Sequence, residues 1–373
     1  MRVLHVISDS NIGGAGVLLT TLLKHFDQKR VNSEVALPKG SELIPRLKLL
    51  HIPIWELKYP CDRASLGSIG ELCGIIRSDN IEIVHANAAL SARIAGRLCC
   101  RTVLHTRHCC FPPKGLLRYK PFRIIGGVSN RMLSDAVIAT AHAAKINLLE
   151  LGIPQQRIQC IINGSDPVKE VSEAELRILR AAWRIEEKDF VVGICGRLEK
   201  CKGQEILLKA AKQLLTEYPQ IPFLFLIVGG GSDAERLKAL SMEYGIDERV
   251  RFTGFVKDMA PIYRLLRVNV NCSVGTETSC LALSEGMSAS LPMVISDYGG
   301  NVDMLGDSGA GILFPAGDSD ALTRALARIA LDPALEQEMR GESFRRYLQR
   351  YTAEQMTEQL TAVYESLWNS HRG

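Results

Sequence analysis

The chain has 373 residues and a formal net charge of +4 at pH 7, and 46% of its residues are hydrophobic. These values are typical of a globular protein with sizeable cores, and the length fits two domains of ordinary size. No run of 18 apolar residues occurs, so no transmembrane helix is expected.

The eleven cysteines are an odd number, and no C-x-x-C spacing occurs among them. The run Met1–Ile7 is too short for a signal peptide and leads directly into a glycine-rich segment. Reduced thiols and a cytoplasmic location are therefore expected, with a metal site through these thiols as the alternative.

Charge is distributed unevenly along the chain. Residues 1–166 carry 21 Lys+Arg and 12 Asp+Glu, a balance of +9, and the remainder carries 24 and 29, a balance of −5. The segment from Arg101 to Arg131 contains no acidic residue between its ends, which predicts attraction to anions such as phosphates, nucleic acid or an anionic membrane face. A solvated surface is the alternative. No nucleic-acid partner is expected, because no helix-turn-helix or RNA-recognition signature occurs. The basic residues inside the segment are Arg107, Lys114, Arg118, Lys120 and Arg123.

The first half alternates apolar runs with amphipathic runs, the pattern of a parallel α/β sheet. Strands are predicted at Arg2–Ser8, Ser33–Leu37, Ile81–His85, Thr102–Thr106 and Asp135–Ala139. Helices are predicted at Val17–His25, Ser41–His51, Leu66–Arg77, Ala88–Cys100 and Ala143–Leu151. The turn Asn163–Asp166 closes this half.

A glycine-rich segment with Gly13, Gly14 and Gly16 joins the first strand to its helix. Backbone amides at such a helix N-terminus can hold a phosphate. The segment is neither a G-x-G-x-x-G fingerprint nor a P-loop, so a tight structural turn is the alternative.

Histidines follow two of the predicted strands. His85 ends one strand, and His105 and His108 lie at or after the end of the next. Parallel sheets bind ligands at the carboxyl ends of their strands, so these side chains are candidate site residues or polar strand caps.

The second half repeats the α/β pattern and therefore predicts a second Rossmann-like domain. After a helix at Ser172–Trp183, strands are predicted at Phe190–Cys195, Phe223–Val228, Val250–Phe255, Val268–Cys272 and Leu291–Ser296. Further helices are predicted from Gly203 to about Tyr218, at Ala321–Ile329 and at Ala353–Trp368.

Two cations follow the first strand of this half. Arg197 and Lys202 stand five residues apart, near a helix N-terminus, an arrangement suited to a diphosphate. Two solvated surface cations are the alternative. Turns that allow close backbone approach follow later strands at Gly229–Gly230 and Gly299–Gly300–Asn301.

Two carboxylates, Glu277 and Glu285, stand eight residues apart where a loop enters a helix. At 100° per residue, eight helical steps return a side chain to within roughly 80° of its start, so both can face one ligand. An isolated pair at this spacing is also common by chance as solvated helix charges.

These motifs together resemble the retaining glycosyltransferases of family 4, also called group 1, which carry an E-x7-E signature. The run Gly196-Arg197-Leu198 with Lys202-Gly203 and the turn Asn163-Gly164-Ser165-Asp166 also match. The resemblance implies the GT-B fold, two Rossmann-like domains that face each other across a cleft. It divides the chain into an acceptor-side domain (1–166), a donor domain (167–352) and a C-terminal helix (353–373) that crosses back to the first domain.

The resemblance also implies roles for the candidate residues. Glu277 would contact the sugar hydroxyls, Glu285 the ribose hydroxyls, and His108 would lie near donor sugar and acceptor. Arg197 and Lys202 would carry the diphosphate charge, so no metal or other cofactor is expected beyond a nucleoside-diphosphate sugar, with UDP preferred. Backbone or edge contacts to the donor are assigned to Gly13, Gly14, Gly16, Gly229, Gly230, Val256, Gly299, Gly300 and Asn301.

A retaining sugar transfer to a glycan or lipid-linked acceptor in bacterial cell-surface polysaccharide assembly is therefore predicted. Phe111, Tyr119 and Phe122 accompany the cations of the Arg101–Arg131 segment, which favours peripheral attachment to the inner face of the plasma membrane. A sugar-nucleotide epimerase of the same fold and a non-catalytic carbohydrate-binding module are the alternatives.

Overall fold

The computed structural model describes residues 1–108, 127–128, 130–275 and 277–370. The chain divides into two compact units. The first comprises Met1–Ser165 and the segment that starts at Ala353, and the second is Asp166–Thr352. The family resemblance predicted these boundaries after residues 166 and 352.

The first unit contains a seven-stranded parallel sheet in the order β3-β2-β1-β4-β5-β6-β7. Its strands are β1 (Arg2–Ile7), β2 (Asn32–Pro38), β3 (Ile54–Leu57), β4 (Ile83–Asn87), β5 (Thr102–Arg107), β6 (Ala136–Ala139) and β7 (Ile158–Cys160). Its described helices include Gly14–His25, Ile44–Leu49, Leu66–Ser78, Leu90–Leu98, His142–Glu150 and Ala353–Ser370.

The second unit contains a six-stranded parallel sheet in the order β10-β9-β8-β11-β12-β13. Its strands are β8 (Phe190–Cys195), β9 (Phe223–Val228), β10 (Val250–Gly254), β11 (Val268–Asn271), β12 (Met293–Ser296) and β13 (Gly311–Phe314). Its α-helices are Glu173–Trp183, Gln204–Glu217, Ala234–Glu243, Ala260–Leu265, Leu281–Ser288, Asn301–Leu305, Ser319–Leu331 and Pro333–Arg350.

Burial on both faces explains the sequence of the central strands. Every residue of β4 and of β9 is buried, and β9 reads Phe-Leu-Phe-Leu-Ile-Val without alternation. Strands covered by helices on both faces have this near-continuous apolar pattern. In each sheet the strand order reverses beside the first strand, between β1 and β4 and between β8 and β11. Ligands of such sheets bind at the carboxyl ends beside these reversals.

Several elements differ from the predicted ones. The first helix begins at Gly14 rather than Val17, so Gly14 and Gly16 lie in its first turn. The short strands β3 and β13 were not predicted, since four residues at a sheet edge give little periodic signal. Helix Pro333–Arg350 was also missed, although the Asp332 carboxylate caps its N-terminus.

The C-terminal helix Ala353–Ser370 packs on the first unit through polar contacts. The Tyr364 hydroxyl lies 2.6 Å from His85 Nδ1, and Trp368 Nε1 donates to Glu82 at 2.8 Å. Arg30 reaches the same helix through Glu358 and Glu365. His85 is therefore a buried packing residue that holds this helix to β4.

His5 and His85 form a buried pair of imidazoles. Their ring centroids are 5.4 Å apart, and Tyr364 lies against both rings. Burial lowers the pKa of His5 to about 3 and the pKa of His85 well below its ordinary value. Both rings are therefore neutral in the folded first unit at neutral pH.

No helix within the described parts of the chain combines the length and apolarity needed to cross a membrane.

The two imidazoles predict a loss of stability in mild acid. Because their folded pKa values lie below the unfolded value near 6.5, the unfolded chain binds more protons below that pH. Each histidine should lower the free energy of unfolding by about 1.4 kcal/mol per pH unit between pH 6.5 and pH 5.

Thermal unfolding of His5→Phe over this range should show a shallower pH dependence than the wild type. His51→Asn, at an exposed position, serves as the control and should keep the wild-type slope. An unchanged slope in His5→Phe would contradict the assignment.

Candidate functional site

The loops after β8, β9, β11 and β12 meet at the carboxyl edge of the second sheet. A Cβ atom at Gly229 (φ 133°) would lie 2.0 Å from the Gly196 carbonyl oxygen, and one at Gly299 (φ 58°) would lie 2.4 Å from the Glu277 carbonyl oxygen. Both φ values favour glycine. These two glycines therefore let neighbouring loops touch through their backbones.

A buried ion pair joins two of these loops. Lys202 Nζ lies 2.7 Å from Glu277 Oε2, and the side chains are 21% and 6% exposed. Ser273 Oγ donates to the same carboxylate oxygen at 2.6 Å. The carboxylate predicted to contact a sugar therefore has two partners within the second unit.

The charges of this pair stabilise each other. Burial alone would raise the pKa of Glu277, but Lys202, Ser273 and Asn271 outweigh it and hold the pKa below its ordinary value. Burial likewise acts to lower the pKa of Lys202, and the charge of Glu277 overcomes it so that the pKa is raised. Both groups are therefore ionised at neutral pH.

The second carboxylate has its own buried partner. The Tyr263 hydroxyl donates to Glu285 Oε2 at 2.7 Å. Burial raises the pKa of Glu285, and the hydrogen bond from Tyr263 opposes this effect only in part. Burial, with the nearby charge of Glu277, also raises the pKa of the Cys280 thiol to about 12, so this thiol is not ionised at neutral pH.

The helix of the E-x7-E segment begins only at Leu281. Glu277 therefore lies in the preceding loop, and Glu285 lies in the second turn of the helix. The 100°-per-residue relation applies to the helical part alone, so it does not fix the angle between the two carboxylates. Their positions depend instead on their separate partners, Lys202 and Tyr263.

Arg197 lies in the same loop as Lys202 but is more exposed. Its side chain is 71% exposed and pairs with Glu199 at 2.8 Å. Its carbonyl oxygen accepts a hydrogen bond from the buried Gln204 side chain at 3.0 Å. The hydrogen bond from Gln204 thus fixes the loop backbone, while the Arg197 guanidinium remains accessible to a ligand from solvent.

Other residues predicted to bind the donor differ in accessibility. Gly230 and Gly300 follow β9 and β12, and Val256 follows β10 and is partly buried. The Asn301 side chain is fully buried and donates to Ser296 and Asn271. The side chain of Asn301 therefore belongs to a hydrogen-bond network within the unit. Only its backbone, at the first position of helix Asn301–Leu305, is left for the predicted donor contact.

In the first unit, the glycine-rich segment begins a helix. Gly13 is the N-cap of helix Gly14–His25. A Cβ atom on Gly16 would lie 2.8 Å from a Leu43 methyl group, so this glycine permits close packing. Both predicted roles, a tight structural position and a phosphate-binding helix start, fit this geometry.

His108 follows β5 in the first unit. Its Nε2 lies 2.9 Å from Asn87 Oδ1. Burial lowers the pKa of His108 to about 4, so its imidazole is neutral at neutral pH. It can therefore donate or accept a hydrogen bond without carrying charge.

Three residues of this site escaped sequence reasoning: Tyr263, Ser273 and Asn271. Each contacts one of the two carboxylates. Ser273 and Asn271 lie just upstream of Glu277, but no periodic signal separates them from ordinary polar residues. The asparagines interrupting the apolar pattern of β11 were the one available sign.

Two predictions, on membrane attachment and on metal binding, involve residues that the structure describes only in part. The residues from Lys114 to Arg123, which carry the membrane prediction, lie outside the described residues. Within residues 1–108, 127–128, 130–275 and 277–370, no three His, Cys, Asp or Glu side chains are grouped as metal ligands.

Two family descriptions match adjacent parts of the chain. "Glycosyltransferase Family 4" matches residues 12–169 and "Glycosyl transferases group 1" matches residues 177–346. A D-inositol 3-phosphate glycosyltransferase from Saccharomonospora viridis is 24% identical over 397 residues, 97% of this chain and 91% of that protein. The lipopolysaccharide core biosynthesis mannosyltransferase LpcC of Rhizobium leguminosarum bv. viciae is 31% identical over 188 residues, 49% and 52% of the two chains.

Solved structures show the same fold. The crystal structure of Anabaena HepE in complex with UDP superposes with a TM-score of 0.84 at 22% identity, covering 98% of this chain and all of that one. The structural match to HepE spans both α/β units. The two family matches, taken together, also span both units. The chain therefore belongs to the group 1 glycosyltransferases of family 4 and has their GT-B fold.

Proposed function

We propose that this glycosyltransferase is a retaining enzyme that moves a sugar from a nucleoside-diphosphate sugar, preferably a UDP-sugar, to a glycan or lipid-linked acceptor. The observation that carries the proposal is the buried Lys202–Glu277 pair, with the Glu285–Tyr263 pair on the adjoining helix. Epimerase and binding-module readings are set aside because the family matches are to glycosyltransferases.

Lys202 supplies the charge that this reaction needs. As the glycosidic bond to the diphosphate breaks, negative charge grows on the leaving phosphate, and a fixed cation there lowers the barrier. The raised pKa of Lys202 keeps its ammonium charged at neutral pH. The exposed Arg197 guanidinium, on the same loop, can turn toward the second phosphate. With two cations available, no metal is required.

Glu277 and Glu285 divide the recognition of the donor. When a phosphate takes over Lys202, Glu277 becomes an acceptor for sugar hydroxyls while Ser273 keeps it in place. Tyr263 already donates to Oε2 of Glu285, which leaves Oε1 as the proposed acceptor for a ribose hydroxyl.

Backbone groups complete the proposed donor site. The turns at Gly229–Gly230 and Gly299–Gly300, the start of the helix at Asn301 and the edge at Val256 offer amides and carbonyls. In the first unit, the amides from Gly13 to Gly16 are proposed to meet phosphate, and neutral His108 is proposed to lie near sugar and acceptor. These two roles remain predictions.

The preferences for UDP and for cell-surface glycans rest on relatives. HepE has been crystallised with UDP and with UDP-glucose, and LpcC is named for lipopolysaccharide core biosynthesis. We extend both properties to this chain as proposals. Peripheral attachment to an anionic membrane is a further prediction that depends on residues outside the described parts.

The proposed reaction predicts acceptor-dependent release of nucleoside diphosphate. Product analysis by proton NMR should show the anomeric configuration of the donor sugar in the new linkage, and activity should persist in EDTA. An inverted linkage would contradict retention, and complete loss of activity in EDTA that added metal restores would contradict metal independence.

Replacing the buried ammonium should impair chemistry. Lys202→Ala is expected to lower kcat/KM by roughly a hundredfold or more, the scale for loss of one charge stabiliser. Lys238→Ala, at a lysine whose side chain is 45% exposed on a helix of the same unit, is the matched control and should turn over like the wild type. Equal activity in both variants would refute the role of Lys202.

The base preference can be measured by ligand-induced stabilisation. A ligand that binds the folded protein stabilises it more as its concentration rises above its Kd, by about 2.7 kcal/mol at 100 Kd. If UDP binds most tightly, it should raise the unfolding temperature more than GDP or ADP at the same concentration. Glu285→Gln should reduce the UDP effect, whereas Glu217→Gln, at an exposed position, should not. A larger effect of GDP or ADP would reverse the proposed base preference.

A further inference from the structure

Strand β11 carries two buried amides in the centre of a parallel sheet. It reads Val268-Asn269-Val270-Asn271 and lies between β8 and β12. Asn269 is 1% exposed and Asn271 7% exposed. A buried amide is costly unless its hydrogen bonds are made, so these positions call for specific partners. Residues two apart on a strand share a face, so both amides point to the same side.

Asn271 contacts the loop that carries Glu277. Its Oδ1 accepts from the Ser273 backbone N–H at 2.9 Å, and its side chain also hydrogen-bonds to Glu277. Ser273 in turn donates its hydroxyl to Glu277 Oε2. Asn271 thus holds both the Glu277 carboxylate and Ser273, which donates to that carboxylate.

Asn301 ties this loop to the end of β12. Its Nδ2 lies 3.3 Å from Asn271 Oδ1, 3.1 Å from Ser296 Oγ and 3.2 Å from the Ser296 carbonyl oxygen. Ser296 Oγ donates to the Ser273 carbonyl oxygen at 2.7 Å. The network therefore closes on the backbone that precedes Glu277.

Asn269 contacts the helix that carries Glu285. Its Nδ2 donates to the Ala282 carbonyl oxygen at 2.8 Å. A Cβ atom at Gly286 would lie 2.4 Å from the same nitrogen, so the glycine next to Glu285 makes room for the amide. The helix Leu281–Ser288 is thereby seated on β11 through this contact.

We infer that Asn269, Asn271 and Asn301 are positioning residues that hold Glu277 and Glu285 in register for one donor molecule. The inference rests on the proposed donor roles of the two carboxylates. One strand sets the spacing, since Asn271 contacts the loop carboxylate and Asn269 anchors the helix that carries the other one. The side-chain amides of these asparagines are assigned no contact with the donor.

Asn271→Asp tests the loop half of this arrangement. The substitution keeps size and the acceptor oxygen but replaces the donor that faces Glu277 with a like charge. The other ionisable groups facing Glu277 are Lys202 and Cys280, and neither is altered. The acid limb of the kcat/KM profile should move up by about one pH unit. Asn32→Asp, at an exposed position in the first unit, should leave it unchanged.

An acid limb that stays in place in a folded Asn271→Asp enzyme would overturn the inference. If this variant does not fold, Asn301→Ser removes the supporting donor from Asn271 and should move the limb in the same direction. A carbon NMR titration of the Glu277 carboxyl in either variant needs no turnover. It therefore decides the inference even if the wild type transfers no sugar, a result that would count against the proposed function alone.

A double-mutant cycle tests the helical half. Gly286→Ala should raise the donor KM about tenfold by displacing Asn269 and the helix, with a smaller change in kcat. Once Asn269→Ala removes the amide, the nearest remaining neighbour of the added methyl is the flexible end of Met293, at 3.0 Å. The double variant should therefore bind donor no worse than Asn269→Ala alone. Additive losses would show that the two positions act independently and would overturn this part.

Discussion

The contact on which the second unit depends is the buried pair between Lys202 and Glu277. Removing two charges from water is expensive, and their attraction offsets that cost only when hydrogen bonds satisfy the remaining groups. Ser273 and Asn271 supply such bonds. This need for hydrogen bonds explains why the apolar sheet contains the polar residue Asn271 at the end of β11. The two charges must be held at the place where the loops converge.

A preformed pair also affects how a ligand enters. In the proposed site, a diphosphate that binds Lys202 would exchange one anionic partner of the ammonium for another, so the ammonium would not be left buried without a counter-charge. The carboxylate it leaves is still held by two hydrogen-bond donors. Because the charged groups are already held in place, they do not have to reorganise during the reaction. This is the reason that fixed charges in a protein stabilise a transition state better than water does.

Most of the fold could be predicted from the sequence because fully buried parallel strands give continuous apolar runs, as in β9. The edge strands β3 and β13 are short and partly exposed, so the same signal was missing there. Glu277, Lys202 and Glu285 stood out through spacing and family resemblance. The contacts that these residues make could not be predicted, since Lys202 and Glu277 are 75 residues apart and Tyr263 lies 22 residues from Glu285.

Asn301 shows what a turn motif leaves open. Its place after two glycines suggested a ligand contact, yet its side chain is buried in the network beneath the loops. A turn motif reports that the backbone comes close to something, and it does not report which side chains turn inward. His85 is similar, since its strand-end position allowed a site residue or a polar cap, and its ring lies in hydrogen-bond contact with Tyr364.

The return of helix Ala353–Ser370 to the first unit makes that unit discontinuous in the chain. During synthesis the whole of Asp166–Thr352 is made before Tyr364, the residue that lies against His5 and His85. The second unit is contiguous in the chain, whereas the N-terminal sheet lacks its last helix until the chain is almost finished. The part of the protein that is translated first is therefore the part whose packing can be completed only at the end of synthesis.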